Sequence, residues 1–452
     1  MTVQSHNYQW LVHAPVAQVL FRMTCPMVGA IFLLFAYDVL ESQLLSHSSL
    51  EALTALGFTV PITTAMVAFA VAITITTNTA VTQVISQNKE QTSQVVVNSI
   101  VVAVMLSALL TLLAFVFNNE IFSALGIDYA MLPDSFHLGP RPRLMPLIEN
   151  YMLWRYTGWV FLVLIWQVNS LLRAVGLIGY ASGLFVAWMV CKITLALLWF
   201  DNLAYWQVSA LESAALVHLF TDALFALISM MLLFSKLKIN PWDGVKIAPL
   251  ASIKKMSMPG LSATLQQLFT PISITLLTIM IVTYGQVYVA VLGIIFRLEA
   301  LLLLIPMVLT TSLPSIVGVN WWSGFGQRVK KVLLQSKLLV VASQLLIAFS
   351  LMFYGPQIAQ WFSDEQHIQH SIATYLKIVP LGYIGAGISI ICQSSFNATG
   401  HFFKASFLSF THRIVLMLGC CYIGLNFNGI EGLFFGILIA HLLSSLLAIA
   451  LN

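Results

Sequence analysis

Apolar residues run through this chain in long unbroken stretches, without the three-to-four-residue spacing of a surface helix or the alternation of a half-buried strand. Twelve such stretches lie near 16–42, 52–78, 93–117, 147–171, 178–200, 212–235, 257–283, 286–312, 332–354, 371–396, 403–424 and 429–450. A helix rising about 1.5 Å per residue needs roughly 20 apolar residues to cross about 30 Å of hydrocarbon, and each stretch is about that long. The pattern predicts an all-α polytopic membrane protein with about twelve transmembrane helices.

Composition agrees with the pattern. Hydrophobic residues make up 59% of the 452 and charged residues only 8%, too few to cover a water-facing surface. The opening segment MTVQSHNYQWLVHAP lacks the basic start and small-residue cleavage site of a signal peptide, so the first span is expected to stay in the mature chain. All five cysteines fall inside predicted spans and none forms a CxxC pair, which suggests neither a disulfide framework nor a metal site. With the N-terminus in the cytoplasm, the inner loops would hold Lys89, Arg173, the Lys236–Lys255 group, Arg328, Lys330, Lys331, Lys337 and Lys404, against only Arg141 and Arg143 outside. The positive-inside rule therefore predicts cytoplasmic termini.

The chain also aligns with itself. Tyr151, Gly158, Ala174 and Gly176 match Tyr375, Gly382, Ala398 and Gly400 at a constant interval of 224 residues. Further upstream the interval is 233 to 236, pairing Pro26 with Pro259 and Gly57 with Gly293, and an insertion, LPDSFHLGPRPR at 132–143, accounts for the change. The reading is two six-helix lobes, residues 1–235 and 257–452, joined by an inner loop at 236–256. An even number of spans per lobe makes them parallel repeats about a pseudo-two-fold axis along the membrane normal, around a central cavity.

Several classes of chemistry lack their motifs. There is no HExxH, no GxSxG and no aspartate-rich pair, so no enzyme is expected. Without a phosphate loop, ATP cannot drive work within this chain and an ion gradient is the remaining source. The basic residues lie scattered beside the membrane, which gives nucleic-acid binding no support.

The segments LGIIFRLEALLLLIPMVLTTSLPSIVGVN, QRVKKVL, WFSDEQHIQHSIATYLKIVPL and FNATGHFFKAS, with CPMVGAIFLLFAYDVLESQLLS and LEALTALGFTVP in the first half, resemble the MATE family of multidrug and toxic compound extrusion transporters, its bacterial DinF-like branch in particular. The resemblance covers nearly the whole chain. It implies cation-coupled antiport of drug-like organic compounds, cationic or aromatic, against H⁺ or Na⁺, with no other cofactor. The expected contacts are membrane lipid and small molecules, with the chain working as a monomer. A lipid or lipid-linked oligosaccharide flippase of the wider superfamily and a non-transporting scaffold stand as the alternatives.

Ionisable residues inside hydrocarbon are expensive and mark working sites. Asp38 lies about 33 Å along the first span from Val16 and matches the family's first-helix aspartate, the proposed proton site. A carboxylate in a low-dielectric pocket can load and release a proton near physiological pH. Lys192 and Asp222 lie at comparable depths in the fifth and sixth spans, which suggests a cluster of Asp38, Lys192 and Asp222 with the lysine paired to one acid. The family carries an Asn and an Asp in the fifth helix where this chain has other residues, so Lys192 is either an internal cation that favours H⁺ over Na⁺ or a static pair. Glu299 with Arg413 is the expected second-lobe pair. Pro26 sets a candidate hinge between the start of the first span and Asp38. Tyr37, Asn78, Asn169, Gln266, Thr270, Ser273 and Gln393 are candidates for lining the cavity or for packing helices together.

Overall fold

In the computed structural model the described residues are 9–48, 50–85, 89–124, 144–203, 209–237, 249–282, 284, 286–362 and 365–452. The insertion at 132–143 and most of the loop at 236–256 lie outside them. The helices are α1 (Val16–Ser48), α2 (Leu50–Val84), α3 (Lys89–Val116), α4 (Asn118–Ala124), α5 (Leu144–Ala174), α6 (Ile178–Leu203), α7 (Ala210–Leu237), α8 (Pro249–Val282), α9 (Gln286–Leu302), α10 (Leu304–Trp322), α11 (Gly326–Gln360), α12 (Gln366–Ile378), α13 (Tyr383–Ala398), α14 (Phe402–Phe410) and α15 (Met417–Leu451). Among the described residues there is no strand. Only helices satisfy every backbone group inside one segment, so an apolar chain without barrel alternation has this one way to cross lipid.

Eleven stretches are long and apolar enough to cross a membrane, and their bounds follow the twelve predicted spans to within a few residues at most ends. The count differs because the last stretch, Phe402–Leu451, contains two. Its backbone turns back at Asn428 and Gly429, where Gly429 takes φ +57°. A Cβ on Gly424 would lie 2.0 Å from the Gly432 carbonyl oxygen, so this hairpin closes only because both positions are glycine.

The eighth span is broken at Leu303, between α9 and α10. Pro306 lacks the N–H that would bond the carbonyl of Leu302. The side chain of Gln344 on α11 donates to that carbonyl at 3.1 Å instead. In the tenth span, α12 passes through a 3₁₀ turn, Val379–Gly382, before α13. Pro26, in contrast, leaves α1 unbroken and sits on its exposed face.

The repeat is visible in the caps. Gly176 (φ +79°) and Gly400 (φ +82°) end the α5 and α13 spans with the same bond, Leu177 N–H to Leu172 O at 2.8 Å and His401 N–H to Phe396 O at 2.8 Å. A side chain at either glycine would be strained. One apolar core lies mainly among α1–α7 and a second among α8–α15, while a third mixes Leu11–Met23 with Leu309–Val340.

The halves meet at one end of the bundle. Thr24 and Ser312 hydroxyls are 2.9 Å apart, Asn78 donates to Ser315 at 3.1 Å, and Thr79 donates to the carbonyl of Asn397 at 3.0 Å. Arg328 donates to the carbonyls of Leu11 and Ala14. Thr82 packs directly on Gly318, and these residues are 236 apart, one of the intervals of the repeat, as expected where matching helices cross at a pseudo-two-fold axis.

Candidate functional site

Three helices of the first half each present a pair of residues four apart, which stacks both side chains on one face. Helix α1 carries Tyr37 and Glu41, α6 carries Trp188 and Lys192, and α7 carries His218 and Asp222. Where the stripes meet, Lys192 Nζ lies 2.8 Å from Asp222 Oδ1 and 3.0 Å from His218 Nδ1. Trp188 Nε1 donates to the same Asp222 oxygen at 2.9 Å, and His218 Nε2 lies 3.0 Å from Glu41 Oε1. The ammonium also sits 4.5 Å from the Trp188 ring centre and 5.6 Å from that of Tyr37.

Lys192 and Asp222 are each 2% exposed. An ion pair this deep persists only when its remaining donors and acceptors are also met, which here falls to His218 and Trp188. Arg155 on α5 adds a second cation, in electrostatic contact with Glu41 and Asp222. Its Nε is buried with no hydrogen-bond partner. Arg155, Trp154, Trp159, His218 and Asp222 border a gap of about 10 Å³, room for about one water molecule.

Of the three residues expected to cluster, the structure joins Lys192 to Asp222 directly and adds Glu41 through His218. Asp38 is exposed and interacts electrostatically with Glu41, Lys192 and Arg155. Glu41, Arg155, His218 and Trp188 were missed by the sequence reading. Spacing was the available signal: Glu41 follows Asp38 by three residues, while Trp188 and His218 precede Lys192 and Asp222 by four.

The second half has a smaller set of charges. Arg413 Nη1 approaches Glu299 Oε1 at 3.6 Å, beyond hydrogen-bonding distance. Arg413 lies in a π-helical turn, Thr411–Leu416, that also carries His412. His412 Nε2 and His441 Nδ1 are 2.9 Å apart, and His441 Nε2 is buried without a partner. Nearby, the Tyr375 and Tyr383 hydroxyls share a 2.5 Å hydrogen bond. At the end of this half remote from the contact between halves, Tyr284, Tyr288, His367, His370 and Glu431 border a cavity of about 330 Å³.

The uncharged candidates are used mainly between helices. Gln266 on α8 is a hub: its Nε2 donates to Asn397 Oδ1 at 3.2 Å, and its Oε1 accepts from Gln393 at 2.9 Å and from Asn397 at 3.0 Å. Asn78 joins α2 to α10, and Asn169 donates to the carbonyl of Ala181 at 2.7 Å. Ser273 is buried and Thr270 half-buried on the helix that bears Gln266. Tyr37 is buried, its ring edge-on to His218 at 5.3 Å.

Comparison with known proteins gives three findings. The family described as MatE matches residues 26–198 and 263–423, more than half of the chain. A curated relative named FAD transporter, from Shewanella oneidensis, is 26% identical over 435 residues, covering 96% of this chain and 93% of its own. Among solved structures, the Vibrio cholerae MATE transporter VcmN in its bent form has 22% identity and a TM-score of 0.87, covering 96% of this chain and 95% of that one. A MOP superfamily transporter from Pyrococcus furiosus has 19% identity and a TM-score of 0.87, covering 100% and 97%.

Proposed function

The chain belongs to the MATE family and is a membrane transporter, not an enzyme, and from that premise we propose that it exports organic compounds by exchange with protons. The buried Lys192–Asp222–His218–Glu41 chain carries this reading. It confines titratable groups on three helices to one apolar site, where a single added charge changes the balance of forces between the helices.

Lys192 favours H⁺ over Na⁺ as the coupling ion. Its ammonium stands against the Asp222 carboxylate where a bound metal cation would have to sit, and a tethered cation cannot be washed out. Counting Asp38, Glu41 and Asp222 against Arg155 and Lys192 leaves one negative charge uncompensated when His218 is neutral. One proton, exchanged between the two sides of the membrane, balances the site. Residues 1–235 and 257–452 act as the two moving lobes, with α1 bending near Pro26 as the charge on Asp38 changes.

With both termini cytoplasmic in a bacterial inner membrane, the contacts of Thr24, Asn78, Thr82 and Arg328 form the inner seal. The described conformation then faces outward. Transport in proteoliposomes under imposed pH or sodium gradients tests the reading. A pH gradient should drive uptake of ethidium or FAD, and Asp38→Asn should lose at least tenfold of the driven rate, about 1.4 kcal/mol in activation free energy. Full drive in Asp38→Asn, or drive by sodium alone, overturns it.

An anionic aromatic cargo is a second reading. The relative named FAD transporter matches nearly the full length of this chain. Arg155, whose Nε is buried without a hydrogen-bond partner, borders with Trp154 and Trp159 a gap that holds about one water here, so its guanidinium meets a cargo phosphate only in a conformation that widens this gap. Competition between ethidium and FAD in the same vesicles separates the two cargo classes.

A further inference from the structure

The ammonium of Lys192 has donors only. At 3.0 Å from Lys192 Nζ, His218 Nδ1 must accept, so the ring proton lies on Nε2 and is donated to Glu41. Asp222 Oδ1 accepts from both Lys192 and Trp188. The chain therefore has one direction throughout: Trp188 and Lys192 donate to Asp222, Lys192 donates to His218, and His218 donates to Glu41. Its imidazole ties α1 to α6 and α7.

A proton added to His218 or to Glu41 weakens a bond of that imidazole. On His218 Nδ1 it would set two donors against each other across 3.0 Å and break the bond to Lys192. On Glu41 it would remove the charge that makes the His218 bond charge-assisted, roughly halving its strength. Asp38 and Glu41 are three residues apart on α1 and interact electrostatically, so they take up a proton as a coupled pair, not as independent sites. The other ionisable groups facing this point are Tyr37 on α1, Tyr151 and Arg155 on α5, and Lys192 and Asp222 on α6 and α7. Lys192 and Asp222 compensate each other directly at 2.8 Å. Arg155 alone is left to balance two carboxylates, so the exchangeable charge falls on the α1 pair.

We propose that His218 is a proton-sensitive latch, holding Glu41 on α1 to Lys192 on α6 only while the Asp38–Glu41 pair is fully ionised, so that Glu41 is a second carboxylate of the coupling site. The proton binds a carboxylate oxygen of the pair from one side of the membrane and leaves to the other; no other bond is made or broken. His218 is a positioning residue that acts through Glu41 and Lys192. The inference rests on the proton-coupled reading above.

The test compares pH-gradient-driven uptake with gradient-free exchange of ethidium and FAD in proteoliposomes. His218→Leu removes both bonds; the gradient-driven rate should fall by about tenfold, and by at least about fivefold more than gradient-free exchange. His218→Gln can still accept from Lys192 and donate to Glu41 but cannot take a proton, and it should keep the driven rate within about threefold. Glu41→Gln should flatten the pH dependence of exchange, leaving one titrating step where the native protein has two coupled ones. Gradient-driven uptake undiminished in His218→Leu overturns the latch, and so does an unchanged pH profile in Glu41→Gln. A His218→Leu protein that loses both activities equally, without recovery in His218→Gln, marks a purely structural residue and also overturns it. A native protein that exchanges either probe but ignores the pH gradient overturns the proton reading itself.

Discussion

The two halves share a plan and differ in what they bury. In the first, three carboxylates, two basic side chains and a histidine converge from four helices, with Lys192 and Asp222 in direct contact at 2.8 Å. In the second, Glu299 and Arg413 stand 3.6 Å apart with side chains 11% and 15% exposed, beside the His412–His441 pair. On formal charges the first set has three acids to two bases, while the second has one of each. The two halves thus share their glycine caps while ionisable groups are concentrated in the first.

Lys192→Ala would break that contrast most severely. It leaves Asp222 buried with only Trp188 and should destabilise the protein by about 3–5 kcal/mol, read as a lowered midpoint of thermal unfolding in detergent. Replacing both partners, Lys192→Met with Asp222→Leu, should recover most of the stability but none of the gradient-driven transport. A double variant that still couples would mean the pair only holds helices together.

Arg413→Met in the second half tests the opposite expectation. Its partner Glu299 is less enclosed and the approach is longer, so the loss should be smaller, about 1–3 kcal/mol, and coupling to the pH gradient should survive. The smallest effect is expected of His412→Leu with His441→Phe. His441 Nε2 is already without a partner, so removing both hydrogen-bonding rings should change stability by no more than about 1 kcal/mol in either direction. Loss of gradient-driven transport in either of these variants would move part of the coupling into the second half.

Much of this architecture was legible in the chain itself. Span positions follow from hydropathy, a sum over local residues that needs no knowledge of neighbours. The repeat was visible because Gly176 and Gly400 perform the same backbone task, which only glycine performs cheaply. The break at Leu303 was half legible: Pro306 announces a missing bond, but nothing local says that Gln344, on the next span, fills it. The π-helical turn at Thr411–Leu416 has no local signal, because it depends on how Arg413 and His412 are drawn toward α9 and α15.

The candidate site divided the same way. That Asp38, Lys192, Asp222, Glu299 and Arg413 lie within apolar spans is a property of the sequence, since the cost of a charge in hydrocarbon depends on depth and depth is read by counting residues. Which of them touch is not. Glu41 meets His218 across 177 residues, and which side chain of α1 faces His218 depends on the rotation of α1 about its axis, three residues shifting the direction by roughly 60°. That rotation is set by packing chiefly against α6 and α10, a property of the assembled bundle, so the chain determined how many charges enter the membrane and only the tertiary structure decided their partners.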